Sequence, residues 1–207
     1  MPLSRRALLG RLGAASVLPL GLSACGGDPV WASEDEVSRA IYRHDGPPAV
    51  MLFTMISNRS EEGAHSGLMV NASQRVIFDP AGSFNHPQLP ERNDVFFGIN
   101  AAALDFYIDY HARVTYRVRT NEVSISAGSA ERALALVQQA GPVGPARCNI
   151  AIVEVLRELP EFRAIPNSWF PKNTMNYFES RSDVRTALYE DDSPDNRGDL
   201  MRAPRVR

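Results

Sequence analysis

Ala64-His65-Ser66-Gly67-Leu68-Met69-Val70, then Asn71-Ala72-Ser73, then Gln74-Arg75-Val76-Ile77-Phe78-Asp79, is the stretch that decides the fold. A histidine opens an apolar run, three small residues interrupt it, and a carboxylate closes the return. Apolar runs bounded by turn residues predict two antiparallel strands joined as a hairpin. With a three-residue loop at 71–73, positions 65 and 79 stand directly opposite, their Cβ atoms roughly 5 Å apart. Asp79 then accepts from one ring nitrogen of His65 and leaves the other to take a proton. A two-residue loop would turn Asp79 to the other face, so the arrangement depends on register.

Outward from the hairpin, Ala49 to Ser57 reads as a buried strand through Val50, Leu52, Phe53 and Ile56. Before it, Gly46-Pro47-Pro48 stops a short helix from Glu34 to Tyr42. After it, 80–94 is a long loop with three prolines, suited to a rim or lid. Asn100 to Tyr110 reads as a helix with Ala103, Phe106, Tyr107 and Tyr110 on one side. Ala112 to Thr120 alternates Val114, Tyr116 and Val118 with Arg113, Arg117 and Arg119, a half-buried strand. Its arginine face is either solvated or a site for an anionic partner. Ser129 to Ala140, capped by Ser129, and Cys148 to Leu159, closed by Pro160, read as two further helices. Trp169, Phe170, Tyr177 and Phe178 then cover the core or line a groove. Beyond 178 the chain turns polar and reads as a disordered tail. The sum is an α+β domain, a small antiparallel sheet with packed helices.

Residues 1–24 read as a targeting segment. Arg5, Arg6 and Arg11 precede an apolar run from Leu12 to Leu22, broken by Pro19 and too short to span a bilayer. The run ends in Leu22-Ser23-Ala24-Cys25, followed by Gly26-Gly27-Asp28, which resembles a bacterial lipobox. That resemblance implies cleavage before Cys25 and acylation of its thiol and new amino group. Ser4-Arg5-Arg6-Ala7-Leu8-Leu9 resembles a twin-arginine export signal, with Leu8 and Gly10 where Phe and Lys are usual. The expected organisation is a signal peptide (1–24), a lipid-anchored tether (25–48), a domain (49–178) and a tail (179–207). The membrane is then a partner, reached through lipid, and the protein faces the periplasm of a bacterial cell envelope.

The chain has 207 residues, enough for one domain, with 44% hydrophobic and 22% charged residues. Net charge is -2, and loss of the three signal arginines takes it to -5, so nucleic acid is not an expected partner. Two cysteines exclude a disulfide-stapled scaffold, and an acylated Cys25 leaves Cys148 as a lone thiol. No serine-centred elbow, phosphate loop or dinucleotide fingerprint occurs, and no cofactor is expected.

Cys148 follows Gly144-Pro145-Ala146-Arg147 and opens a helix, where free N–H groups and the helix dipole favour a thiolate. Its own N–H is placed to help stabilise an oxyanion. Cys148, His65 and Asp79 together have the composition of a nucleophile, a base and an orienting acid. Each has a plainer reading: a core cysteine, a strand-end histidine bonded to backbone, and a turn starter in Asp79-Pro80. His86 in the proline-rich loop is an alternative orienter. Zinc held by His65, His86 and Cys148 lacks close ligand spacing. His111 reads as structural.

The His65-Ser66-Gly67-Leu68 strand, with a cysteine at a helix start about eighty residues on, resembles the circularly permuted NlpC/P60 papain-like proteins. These include the lecithin-retinol-acyltransferase-like enzymes. The resemblance spans about residues 49–160. It implies that His65 and Cys148 are catalytic, with Asp79 as the third polar residue. Where the family often has Asn-Cys, this chain has Arg147-Cys148-Asn149. The expected activity is hydrolysis or transfer at an amide, ester or thioester carbonyl. Envelope location suggests peptidoglycan peptides or acyl lipids as substrates. The alternatives are a non-catalytic envelope lipoprotein that binds a protein or cell-wall partner, and an assembly factor that works through its tail.

Overall fold

The computed structural model describes residues 29–202. Residues 1–24, where an export signal is expected, Cys25 and the last five residues lie outside the described residues. Strands β1 (Ala49–Ser57), β2 (Gly63–Asn71), β3 (Arg75–Phe78), β4 (Glu91–Arg92), β5 (Val95–Phe97), β6 (Tyr116–Ser124) and β7 (Val184–Tyr189) form one antiparallel sheet. Their order is β4-β5-β3-β2-β1-β6-β7. The helices are α1 (Glu34–Ala40), α2 (Ala101–His111), α3 (Ala127–Gln139), α4 (Cys148–Arg157), α5 (Pro171–Glu179) and the short α6 (Arg197–Leu200).

Both faces of the central strands are covered, so β1 and β3 read as apolar runs and do not alternate. On one face Leu52, Leu68, Val76 and Phe78 pack against α1, α3, α4 and α5. On the other, Phe53, Met55, Met69 and Ile77 pack against α2 and Phe84. Each fully buried Leu or Phe here contributes about 1.5–3 kcal/mol. The α+β expectation holds. No helix among the described residues is long and apolar enough to cross a membrane.

Four expectations change. Residues 184–189 are not a disordered tail: they form β7, pairing with β6 from Val118↔Tyr189 to Val123↔Val184. An edge strand with exposed side chains carries a polar composition that imitates disorder. The tether also joins the fold, since Val37 is buried and Trp31 bridges to Arg92. The cap of α3 is Ser126, which accepts from the Ser129 N–H, while the Ser129 hydroxyl donates to Glu161. Finally, β6 starts at Tyr116, which leaves Arg113 in the turn before it, and all three arginines are engaged within the protein. Arg113 pairs with Asp109, Arg117 with Glu61 and Arg119 with Glu179.

Candidate active site

The β2–β3 hairpin forms with a different register from the expected one. Asn71 pairs with Arg75, so the loop is 72–74 and Asp79 falls opposite Gly67, not His65. Tertiary contacts hold Asn71 in the strand: its Nδ2 donates to the Pro47 carbonyl at 2.8 Å, and the Arg75 N–H donates to Tyr42. Glu131 on α3 clamps the turn by accepting from the Ser73 N–H and hydroxyl at 2.6 and 2.9 Å. The slip is two residues, so Asp79 keeps its face. Gly67 has no side chain to obstruct the diagonal, and His65 Nε2 lies 2.8 Å from Asp79 Oδ1.

A carboxylate can only accept, so His65 donates through Nε2 and leaves Nδ1 for Cys148. Burial opposes a charge on His65. The Asp79 charge and hydrogen bond, with a hydrogen bond and charge from Cys148, outweigh it and raise the pKa to about 10. Burial likewise opposes a Cys148 thiolate. Hydrogen bonding and charge from His65, then the N–H groups of Ser66 and Asn149, overcome it and lower the thiol pKa. Asp79 is 2% exposed, and against burial the charge and hydrogen bond of His65 and the hydrogen bond from Tyr107 hold its pKa low. The site therefore couples a thiol of lowered pKa to a histidine of raised pKa, backed by a buried carboxylate.

Sequence reading missed the shell around this pair. Tyr107 on α2 donates from Oη to Asp79 Oδ1 at 2.6 Å. Burial and the Asp79 charge keep that hydroxyl protonated. A buried tyrosine needs a partner for its hydroxyl, and that was the available signal. His111 donates from Nδ1 to the Tyr107 carbonyl at 2.8 Å and lies 6.2 Å from the His65 ring. Burial lowers its pKa to about 4, so it stays neutral. Asn149 is fully buried. Its Oδ1 accepts from Ser66 Oγ, and its Nδ2 donates to Ser168 O, Phe170 O and Thr174 Oγ1. It thereby ties α4, which Cys148 opens, to β2 and to the 168–170 segment.

The linked pKa values predict a stability profile. The His65 contribution is complete below its ordinary 6.5 and lost as the pH rises to about 10. Cys148 acts in the opposite sense: its contribution is present above its ordinary value near 9 and lost as pH falls through its lowered one. As pH rises from 6.5 toward 9 the loss from His65 and the gain from Cys148 oppose one another. In Cys148→Ala the decline belonging to His65 is uncompensated. Urea unfolding of that variant should show stability falling more steeply between pH 6.5 and 9 than that of the parent. A level profile in the variant would sink the ion-pair assignment.

His86 does not join the site. Its Nδ1 accepts from the Gln88 N–H, and its ring packs edge-on to Phe106. Among the described residues no three His, Cys, Asp or Glu side chains form a metal-ligating group. A cavity of about 1080 Å³ between α1 and the 85–91 loop includes His86, but not Cys148 or His65. A second, of about 510 Å³, is lined by Arg147, which precedes α4, and by Ala151 on α4, next to Cys148. Arg147 also lies over the Trp169 ring at 5.2 Å. No protein-family model, no curated protein and no solved structure matches this chain.

Proposed function

We propose that the domain is a thiol hydrolase or acyltransferase of the permuted papain-like type, held at the periplasmic side of a bacterial membrane by lipid on Cys25. The observation that carries the chemistry is the meeting of β2 and α4 through the Ser66–Asn149 hydrogen bond at 3.1 Å, which brings Cys148 beside a histidine that Asp79 orients from 2.8 Å. The Cys148 thiolate attacks the carbonyl carbon of an amide, ester or thioester and forms a C–S bond. The carbonyl oxygen gains charge beside the first-turn N–H groups of α4, which lack intrahelical acceptors. His65 Nδ1 gives its proton to the leaving nitrogen, oxygen or sulfur as that bond breaks. A water or an acceptor nucleophile then attacks the thioester, and His65 takes its proton as the thiolate departs. Peptidoglycan peptides and acyl lipids are the substrate classes that an envelope location favours.

The test is alkylation by iodoacetamide across pH, with the adduct located on Cys148 by mass spectrometry. Labelling should persist at pH 6, below the ordinary thiol value near 9. In His65→Ala only the N–H groups of Ser66 and Asn149 are left to oppose burial of the thiol, and labelling at pH 6 should fall about tenfold or more, one pKa unit being tenfold in thiolate. Turnover of p-nitrophenyl acetate should leave an acetyl group on Cys148 and be absent in Cys148→Ala. Labelling that begins only near pH 9 in the parent would overturn the enzyme reading.

A further inference from the structure

The antiparallel sheet gives the molecule two ends, and the chemistry occupies one. β2 starts there with His65, β3 leads there into Asp79, and α4 starts there with Cys148. α2 ends there, with His111 against His65. The large apolar side chains left exposed gather at the same end. Trp169 (52% exposed) and Phe170 (70%) precede α5, whose first residues lie against Gly63 at the start of β2. Val30 and Trp31 (64%) sit beside the β4–β5 turn, through the Asn93 N–H to Val30 O bond and the Trp31–Arg92 bridge. Val114 lies in the turn before β6, and Leu188 and Tyr189 close β7. Ile41 alone among these exposed residues lies at the far end, next to Tyr42, which accepts from Arg75 at the start of β3.

The chain also enters the fold at the catalytic end. Val30 accepts from Asn93, and the adjacent Asp94 carbonyl accepts from the Asp79 N–H at 2.8 Å. Five steps of 3.8 Å separate Cys25 from Val30, a reach of at most about 19 Å. A lipid on Cys25 therefore keeps the bilayer within reach of this end.

We infer that the catalytic end is a membrane-docking surface and that its occupant is the bilayer carrying the anchor. This rests on the lipid-anchor reading of Cys25 and not on the chemistry at Cys148. Tryptophan and phenylalanine side chains suit the headgroup–acyl boundary, one side apolar and the other wet. Coulombic attraction to anionic lipid contributes little, since the mature charge is -5 and α1 opens with Glu34, Asp35 and Glu36. Docking is thus apolar and proceeds on zwitterionic lipid. It turns the end of the sheet that carries Cys148 toward the membrane, so a substrate is presented from the bilayer side.

The chain contains two tryptophans, Trp31 and Trp169, both at this end, so each can report. The mature lipidated protein, as Trp31→Phe and as Trp169→Phe, is bound to phosphatidylcholine vesicles with brominated acyl chains. Each remaining tryptophan should lose about half its emission relative to unbrominated vesicles, as expected at a boundary depth of about 5–10 Å. Either tryptophan left unquenched on vesicle-bound protein overturns the docking and leaves the anchor intact. Two unquenched tryptophans on a dimer would reassign the patch to a second copy of the chain. Failure of the lipidated chain to sediment with vesicles overturns the anchor reading and the docking together.

Discussion

Asp79→Ala will destabilise the domain by about 3–5 kcal/mol, the range for removing one partner of a buried ion pair. His65 donates to Asp79 from a side chain only 18% exposed, and Asp79 itself is almost fully buried. Without the carboxylate, desolvation is the dominant influence on His65, and the ring gives up its proton. The Tyr107 hydroxyl loses its acceptor at the same time. The loss should be largest below pH 6.5, where the unfolded histidine is charged and the folded one is forced neutral. It should shrink toward pH 10, where the parent histidine also deprotonates.

Asp79→Asn separates orientation from charge. It keeps the volume and one acceptor oxygen, so the stability loss is smaller than in Asp79→Ala. It removes the charge that holds His65 protonated, and with it the main support for the thiolate. Iodoacetamide labelling of Cys148 at pH 6 should fall by about tenfold or more for each pKa unit regained by the thiol. Chemical unfolding and labelling kinetics on the same preparations check both effects. An Asp79→Asn protein with lowered stability and an unchanged labelling profile would reduce Asp79 to a structural residue.

The pairing of His65 with Asp79 is legible from the two-residue period of a strand. A wrong loop position survives because a two-residue slip preserves the face. The position of the slip is not legible, because it is set by the Pro47 carbonyl and by Glu131, far from the hairpin in sequence. The start of α4 at Cys148 is legible from the Gly144-Pro145 break and the apolar run that follows. Asn149 is not, since its four bonds reach β2, the 168–170 segment and α5, elements whose proximity only the fold supplies. β7 escapes for a different reason. Its stability comes from pairing along β6 and not from a buried face of its own.

Gly67→Ala should be among the most damaging conservative changes in the sheet, although it adds one methyl group. An alanine Cβ there would stand 2.3 Å from Tyr107 Oη and 3.4 Å from Asp79 Oδ1. The tyrosine ring cannot withdraw, being fully buried with ring neighbours Phe53, Phe84 and His111 at 4.9, 5.0 and 4.5 Å. Overpacking in such a site costs about 1–3 kcal/mol. Displacing Oη from the carboxylate removes a hydrogen bond to a charged group, about 1.5–3 kcal/mol more. A glycine between His65 and Leu68 thus has a steric cause: the Tyr107–Asp79 bond occupies the space above its Cα. Tyr107→Phe opens that space, leaving Cζ at 3.3 Å as the nearest ring contact. Gly67→Ala should therefore destabilise the Tyr107→Phe protein by at least about 1 kcal/mol less than it destabilises the parent, a non-additivity that a double-mutant cycle in urea measures directly. Gly128→Ala on α3 is the control, since its Cβ would meet nothing within 4 Å, and it should stabilise by about 0.5–1 kcal/mol. Strict additivity of the Gly67 and Tyr107 substitutions would contradict the contact and remove the reason for the glycine.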